Sequence, residues 1–201
     1  MKPAVDPGDC LGRRLLILGD VNTGKTTLAR GILEDWCGRG LGRRILVVDL
    51  APVIPTELAA ARGVRGAGGT LHAAGAAAGV LLVHPLLEAP RLSSTSEAEA
   101  QRKAAANRER IDAAWPVEGG RDIVFVNDAS MYLQAGDADE LIMKLRGAAT
   151  VVANGYFGER LGGGELTRHE RGQMQRLRDW FEREGSVVML DAPPDRAAPG
   201  I

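Results

Sequence analysis

Leu15-Leu16-Ile17-Leu18-Gly19-Asp20-Val21-Asn22-Thr23-Gly24-Lys25-Thr26-Thr27 joins an apolar run to a glycine-bounded turn and then to the head of a helix-forming segment. Gly19 to Thr26 fits the spacing G-x-x-x-x-G-K-[ST]. The two glycines let the backbone curl so that successive N–H groups point inward at phosphate oxygens. The Lys25 ammonium reaches the outer phosphates, the Thr26 hydroxyl suits Mg²⁺, and the following helix presents its positive end. An ordinary glycine-rich strand-to-helix turn is the plain alternative. The position between an apolar strand and a helix is the one the phosphate-binding mechanism requires.

Outward from this stretch, short apolar runs alternate with amphipathic segments. Strands are predicted at Leu15–Leu18, Arg44–Asp49, Asp122–Asn127, Thr150–Ala153 and Val187–Leu190. Uninterrupted β-branched runs suit strands covered on both faces. Helices are predicted from about Lys25 to Cys37, from Ser94-x-x-Glu97 to Trp115, and from Asp137 with Glu140 to Gly147. A further helix is predicted from the capping box Thr167-x-x-Glu170 to Gly185. The fold class expected is α/β, a three-layer α/β/α sandwich with a mostly parallel sheet. Residues 1–201 are read as one domain, with 1–12 and 193–201 as loose tails. The Gly/Ala-rich segment from Gly63 to Gly79 has no clear pattern.

GDVNTGKTT after LLILG resembles the P-loop NTPase superfamily, closely over the loop and by layout elsewhere. That resemblance implies a bound nucleoside triphosphate and Mg²⁺, with Gly19, Asp20, Val21, Asn22, Thr23, Gly24, Lys25, Thr26 and Thr27 around the phosphates. Asp49, ending a strand in ILVVDLAP, resembles the carboxylate of the branch that holds dethiobiotin synthetase, cobyrinic-acid amide synthases, the ParA-like ATPases and the nickel-insertion GTPases. There it lies near Mg²⁺ or the attacking group; an Asp capping the turn before Pro52 is the alternative. The ParA-like subgroup has an extra Lys where Asp20 stands, which disfavours it. Asp128 follows the strand IVFVN, where an acid would order Mg²⁺. The glycine usual after it is replaced by Ala129. Lys25, Asp49 and Asp128 are thus the catalytic candidates, and Thr26, Asp49 and Asp128 the metal candidates.

Asn154, placed after the strand Thr150–Ala153, resembles a base-meeting Asn of dethiobiotin-synthetase-like enzymes, or is a turn residue. The guanine-reading N/T-K-x-D pattern is missing, which favours ATP and leaves GTP open. Asp191-Ala192-Pro193-Pro194, after the last strand, either walls the base in the same way or ends the sheet. The segment His84 to Leu92 carries Glu88 and Arg91, and Arg91 suits a forked contact to a carboxylate or phosphate. Its place faintly resembles the substrate segment of dethiobiotin synthetase; a solvated surface arginine is the alternative.

Composition narrows the class. The chain has 201 residues, 25 basic and 26 acidic side chains and a net charge of −1. No basic field points to nucleic acid. Two cysteines make no disulfide framework, and three separated histidines lack metal-ligand spacing. Met1 to Arg14 shows no secretory h-region, and the longest apolar stretch is half of what a membrane span needs, so a cytoplasmic location is expected. The expected function is a Mg²⁺-dependent phosphotransferase or ligase using ATP on a small anionic metabolite. A nucleotide-driven switch or assembly factor, or a polynucleotide 5′-kinase, stands as the alternative. A homodimer stays open.

Overall fold

The computed structural model describes residues 5–61, 69–71, 78–116, 120–161 and 163–191. In chain order these form α1 (Pro7–Cys10), β1 (Arg14–Gly19), α2 (Lys25–Gly38), β2 (Ile45–Asp49), α3 (Thr56–Ala61), β3 (Leu81–Val83), α4 (Pro90–Ser93) and α5 (Glu97–Ala114). They continue with β4 (Ile123–Asn127), α6 (Ser130–Leu133), α7 (Ala138–Leu145), β5 (Thr150–Tyr156), α8 (Glu165–Glu184) and β6 (Ser186–Leu190). Most of the segment 63–79, His72, and the tail from Ala192 onward lie outside the described residues.

The six strands form one parallel sheet in the order β3-β2-β4-β5-β1-β6. Its two faces are both buried, which explains the unbroken apolar runs. Leu16, Leu18, Val48, Val126 and Ala153 face a core shared with α5 to α8. Leu15, Ile17, Val47, Phe125 and Val152 face α2. The α/β layered architecture is therefore the one expected.

Several local features differ from expectation. β3 is an additional strand, short and half-buried, on the sheet edge. β5 runs on through Asn154 and Gly155 to Tyr156, because residues 154–156 keep pairing with Ile17–Gly19. α5 is capped by Ser96, whose side chain accepts from the Glu99 N–H, and not by Ser94. α8 begins at Glu165, so Thr167 lies inside the helix. Residues 5–12, grouped with the loose N-terminal tail, carry α1 docked on α2: Trp36 Nε1 donates to the Pro7 carbonyl at 3.1 Å, and Cys10 is buried.

Candidate functional site

The sheet's strand order brings four polar strand ends together at its carboxyl edge, where open α/β sheets hold ligands. β2, β4, β5 and β1 are successive neighbours, so Asp49, Asn127, Asn154 and the turn after Gly19 line up in space. The turn is tight. Gly19 has φ +155°, and a Cβ there would lie 2.4 Å from the Leu190 carbonyl oxygen, so only glycine passes under β6. Gly24, with φ +93°, starts α2 without a side-chain cap, the kind of helix head that suits an anion.

Lys25 Nζ donates to the carbonyl oxygen of Asp20 at 2.6 Å. Burial lowers its pKa, opposed by Asp128 and Asp20. Thr26 Oγ1 donates to Asn127 Oδ1 at 3.3 Å. Asn127 Nδ2 donates to Asp49 Oδ1 at 2.7 Å. Asn154 Nδ2 donates to Asn127 Oδ1 at 2.8 Å, and the Asp128 N–H donates to Asn154 Oδ1 at 3.1 Å. These bonds join Asp49, Asn127, Asn154 and Asp128 across three strand ends and tie them to the α2 head.

Asp49 has no exposed surface, and its oxygens also accept from the Ala51 N–H at 3.2 Å and the Leu71 N–H at 2.6 Å. It does not border the cavity, and Asn127 links it to Thr26. Asn154, expected in a base-reading loop, lies within β5 and is buried in this network. Asn127 was not singled out from the sequence. Its signal was a polar residue closing the buried run IVFV.

A cavity of about 440 Å³ opens over this edge. Val21, Asn22, Gly24, Lys25, Thr26 and Thr27 border one side. Asp128, Ser130, Asn154, Arg91 and Tyr156 line the other, with Ile54, Leu92 and Leu161 as apolar wall. Asp128 takes a left-handed φ of 58°, a conformation that Asp tolerates better than most residues. Burial pushes its pKa up, while the Ser130 hydroxyl and then the Lys25 and Arg91 cations pull it down. Ser130 Oγ hydrogen-bonds Asp128 Oδ1.

Arg91 and Glu88 part ways. Arg91 is largely buried, pairs with the fully buried Glu170 of α8, and lies 5.3 Å over the Tyr156 ring. Burial lowers its pKa, opposed by Tyr156 and Asp128. Glu88 faces Lys103 and Arg110, each at 3.7 Å, and does not line the cavity. Of the two residues expected at a substrate segment, Arg91 borders the cavity and is paired with Glu170, and Glu88 stands away from it.

The Thr26 hydroxyl and the Asp128 carboxylate are hard oxygen donors that both line this cavity, a lining that fits Mg²⁺. No described helix is long and apolar enough to cross a membrane.

No protein-family profile matches this chain. No curated protein sequence matches it. Among solved structures it is similar to the flagellar accessory protein FlaH from Methanocaldococcus jannaschii, with 10% identity, 81% of this chain and 68% of that chain covered, and a TM-score of 0.41. It is also similar to the Pif1 helicase from Candida albicans, with 14% identity, 96% and 40% covered, and a TM-score of 0.34. The chain thus spans two fifths of that helicase.

Proposed function

We propose that the chain is a Mg²⁺-dependent P-loop enzyme that transfers the terminal phosphoryl group of ATP to a small anionic acceptor. The observation that carries this reading is the convergence of Lys25, Thr26, Asp128 and Arg91 on one cavity. The loop amides and the uncapped α2 head hold the phosphates. Lys25 exchanges the Asp20 carbonyl for a phosphate oxygen as its acceptor. Thr26 and the phosphates would hold Mg²⁺, with Asn127 orienting the Thr26 hydroxyl and Asp49 holding Asn127, which leaves Asp128 as the base. Mg²⁺, when bound, neutralises charge on the phosphates and aligns them for in-line attack.

Arg91, fixed by Glu170 and Tyr156, presents a positive charge to the acceptor's anionic group. Asp128, once ionised, takes the proton from the acceptor hydroxyl. The acceptor oxygen forms its bond to phosphorus as the phosphorus–oxygen bond to the leaving diphosphate breaks, and that electron pair stays on the diphosphate. Positioning and charge neutralisation are the main contributions of the protein.

The test is Mg²⁺-dependent ATP consumption measured alone, with a panel of hydroxy-carboxylates and phosphorylated alcohols, and with a 5′-hydroxyl oligonucleotide. Stimulation at least tenfold by a small anion, with a phosphorylated product, is expected. Stimulation by the oligonucleotide alone, or tight GTP selectivity with slow turnover and no acceptor, would replace this reading.

A further inference from the structure

Ser130 borders the same cavity as Lys25, Thr26 and Asp128. Phosphoryl transfer to an external acceptor leaves it without a task. It opens α6 and is 3% exposed, so a reagent reaches its hydroxyl through the cavity. Two bonds fix that hydroxyl. Ser130 Oγ donates to Asp128 Oδ1 and accepts from the Tyr156 N–H at 3.3 Å. The carboxylate's own backbone is held in turn. The Asp128 N–H donates to Asn154 Oδ1 at 3.1 Å, and the left-handed φ of 58° brings the Asp128 side chain back to Ser130, two residues on. A hydroxyl bonded to a carboxylate that is itself fixed in place is the arrangement of an activated nucleophile.

Neighbouring hydroxyls are bonded differently. Thr26 Oγ1 donates to an amide oxygen, which is no base, and the Tyr156 hydroxyl accepts from the Leu161 N–H at 3.0 Å. A general base must lie within hydrogen-bond reach of the proton it takes, and the Ser130 hydroxyl already lies there. An external acceptor has to displace it first.

The geometry points to Ser130 as a phosphoryl acceptor within the chain, modified by bound ATP when no external acceptor is present. This rests on the phosphoryl-transfer reading and adds a self-modification to it. Asp128 takes the Ser130 Oγ proton. Ser130 Oγ forms its bond to the terminal phosphorus as the bond from that phosphorus to the bridging oxygen of ATP breaks. The electron pair leaves on ADP, and Asp128 passes its proton to water. The products are phosphoserine and ADP. The new phosphate group lies in the cavity that Arg91 borders, where the acceptor's anionic group would sit, so the modified chain is closed to its acceptor.

In the experiment the full chain is incubated with Mg²⁺-ATP and no acceptor, then followed by intact mass, ADP release and sequencing of its proteolytic peptides. A gain of one phosphoryl group per chain, located on Ser130, is expected, with an ADP burst of matching size. The rate constant should not change with chain concentration, as transfer within one molecule requires. Asp128→Asn keeps a partner for the hydroxyl and removes the base, so labelling should slow at least a hundredfold. Ser130→Ala should stay unlabelled, and so should Lys25→Ala, alone or mixed with the parent. Peptide sequencing of the parent decides the site even where Ser130→Ala does not fold. A parent that binds Mg²⁺-ATP by calorimetric titration and stays unmodified overturns the inference and leaves the phosphate reading standing. So does label on another residue, labelling of Lys25→Ala by the parent, or equal labelling of Asp128→Asn. A parent that binds no ATP overturns both.

Discussion

Asn127 stands between a hydroxyl and a carboxylate, and its amide is the one group type that serves both. Its oxygen accepts from Thr26 while its nitrogen donates to Asp49. Asn127→Asp keeps the acceptor and loses the donor, setting two carboxylates at hydrogen-bond distance in a site with no exposed surface. Like charges at such range raise the pKa of the pair. Folded-state stability is then intact below the ordinary carboxylate range and falls as pH rises through the raised value. Melting curves of Asn127→Asp should therefore match the parent near pH 4 and lie well below it at pH 8; a gap that is constant with pH would contradict this. Asn127→Leu, which leaves Asp49 short of a donor, should cost about 2–3 kcal/mol. Asp128 titrates in the same direction, its folded pKa being raised by burial. In the proposed reaction its ionised form is the base, so kcat/KM should fall on the acid side with an inflection above ~3.9, the ordinary Asp value. In Asp128→Asn the rate should drop at least a hundredfold, and that acid limb should disappear. The acid at 128 was legible in the sequence because it follows a buried strand. Asn127 was passed over because an amide does not announce itself as chemistry.

Between elements, the Arg91–Glu170 pair ties α4 to α8 beneath the cavity. Both side chains are nearly inaccessible, 10% and 3% exposed. Removing one partner strands a buried charge, and Glu170→Ala should cost about 3–5 kcal/mol by denaturant unfolding. Arg91→Met with Glu170→Leu removes both charges at similar volume and should restore most of that loss, while acceptor stimulation stays abolished. Recovery of stimulation in the double variant would show that Arg91 is only structural. The sequence offered Glu170 as half of a capping box with Thr167, and the reason it failed is non-local. The first turn of α8 is capped from another helix: the Leu166 N–H donates to Glu97 Oε1 at 2.8 Å. A Cβ at Gly164 would lie 2.5 Å from that same carboxylate, so the glycine before Glu165 marks the true start. A cap supplied from 69 residues away leaves no trace in local spacing. Asp137, by contrast, caps α7 through its own neighbour, the Asp139 N–H, and was readable.

For the whole molecule, the apolar runs told which segments are strands, and five of the six followed from them. Strand order did not, because it depends on which distant runs pair. β5 separates β1 from β4, and that separation sets Asn154 between the turn after Gly19 and Asp128. The three residues of β3 pair only with β2 at the sheet edge and are too few to show a period. The same architecture makes ligand binding a question of global stability. The turn joins β1, the α2 head and the end of β6, so a ligand that binds only the folded chain stabilises the sheet as a unit. At a concentration a hundred times its Kd, such a ligand adds ~2.7 kcal/mol, or about 5–10 °C in Tm for a chain of this length. Mg²⁺-ATP should produce that shift in the parent. Lys25→Ala should leave the unliganded Tm within about 2 °C, because burial disfavours the charged lysine in the empty site and the alanine relieves it. In the variant the ATP-induced shift should vanish. A shift of equal size in Lys25→Ala would mean that the stabilising ligand sits somewhere other than the turn between Gly19 and Thr26.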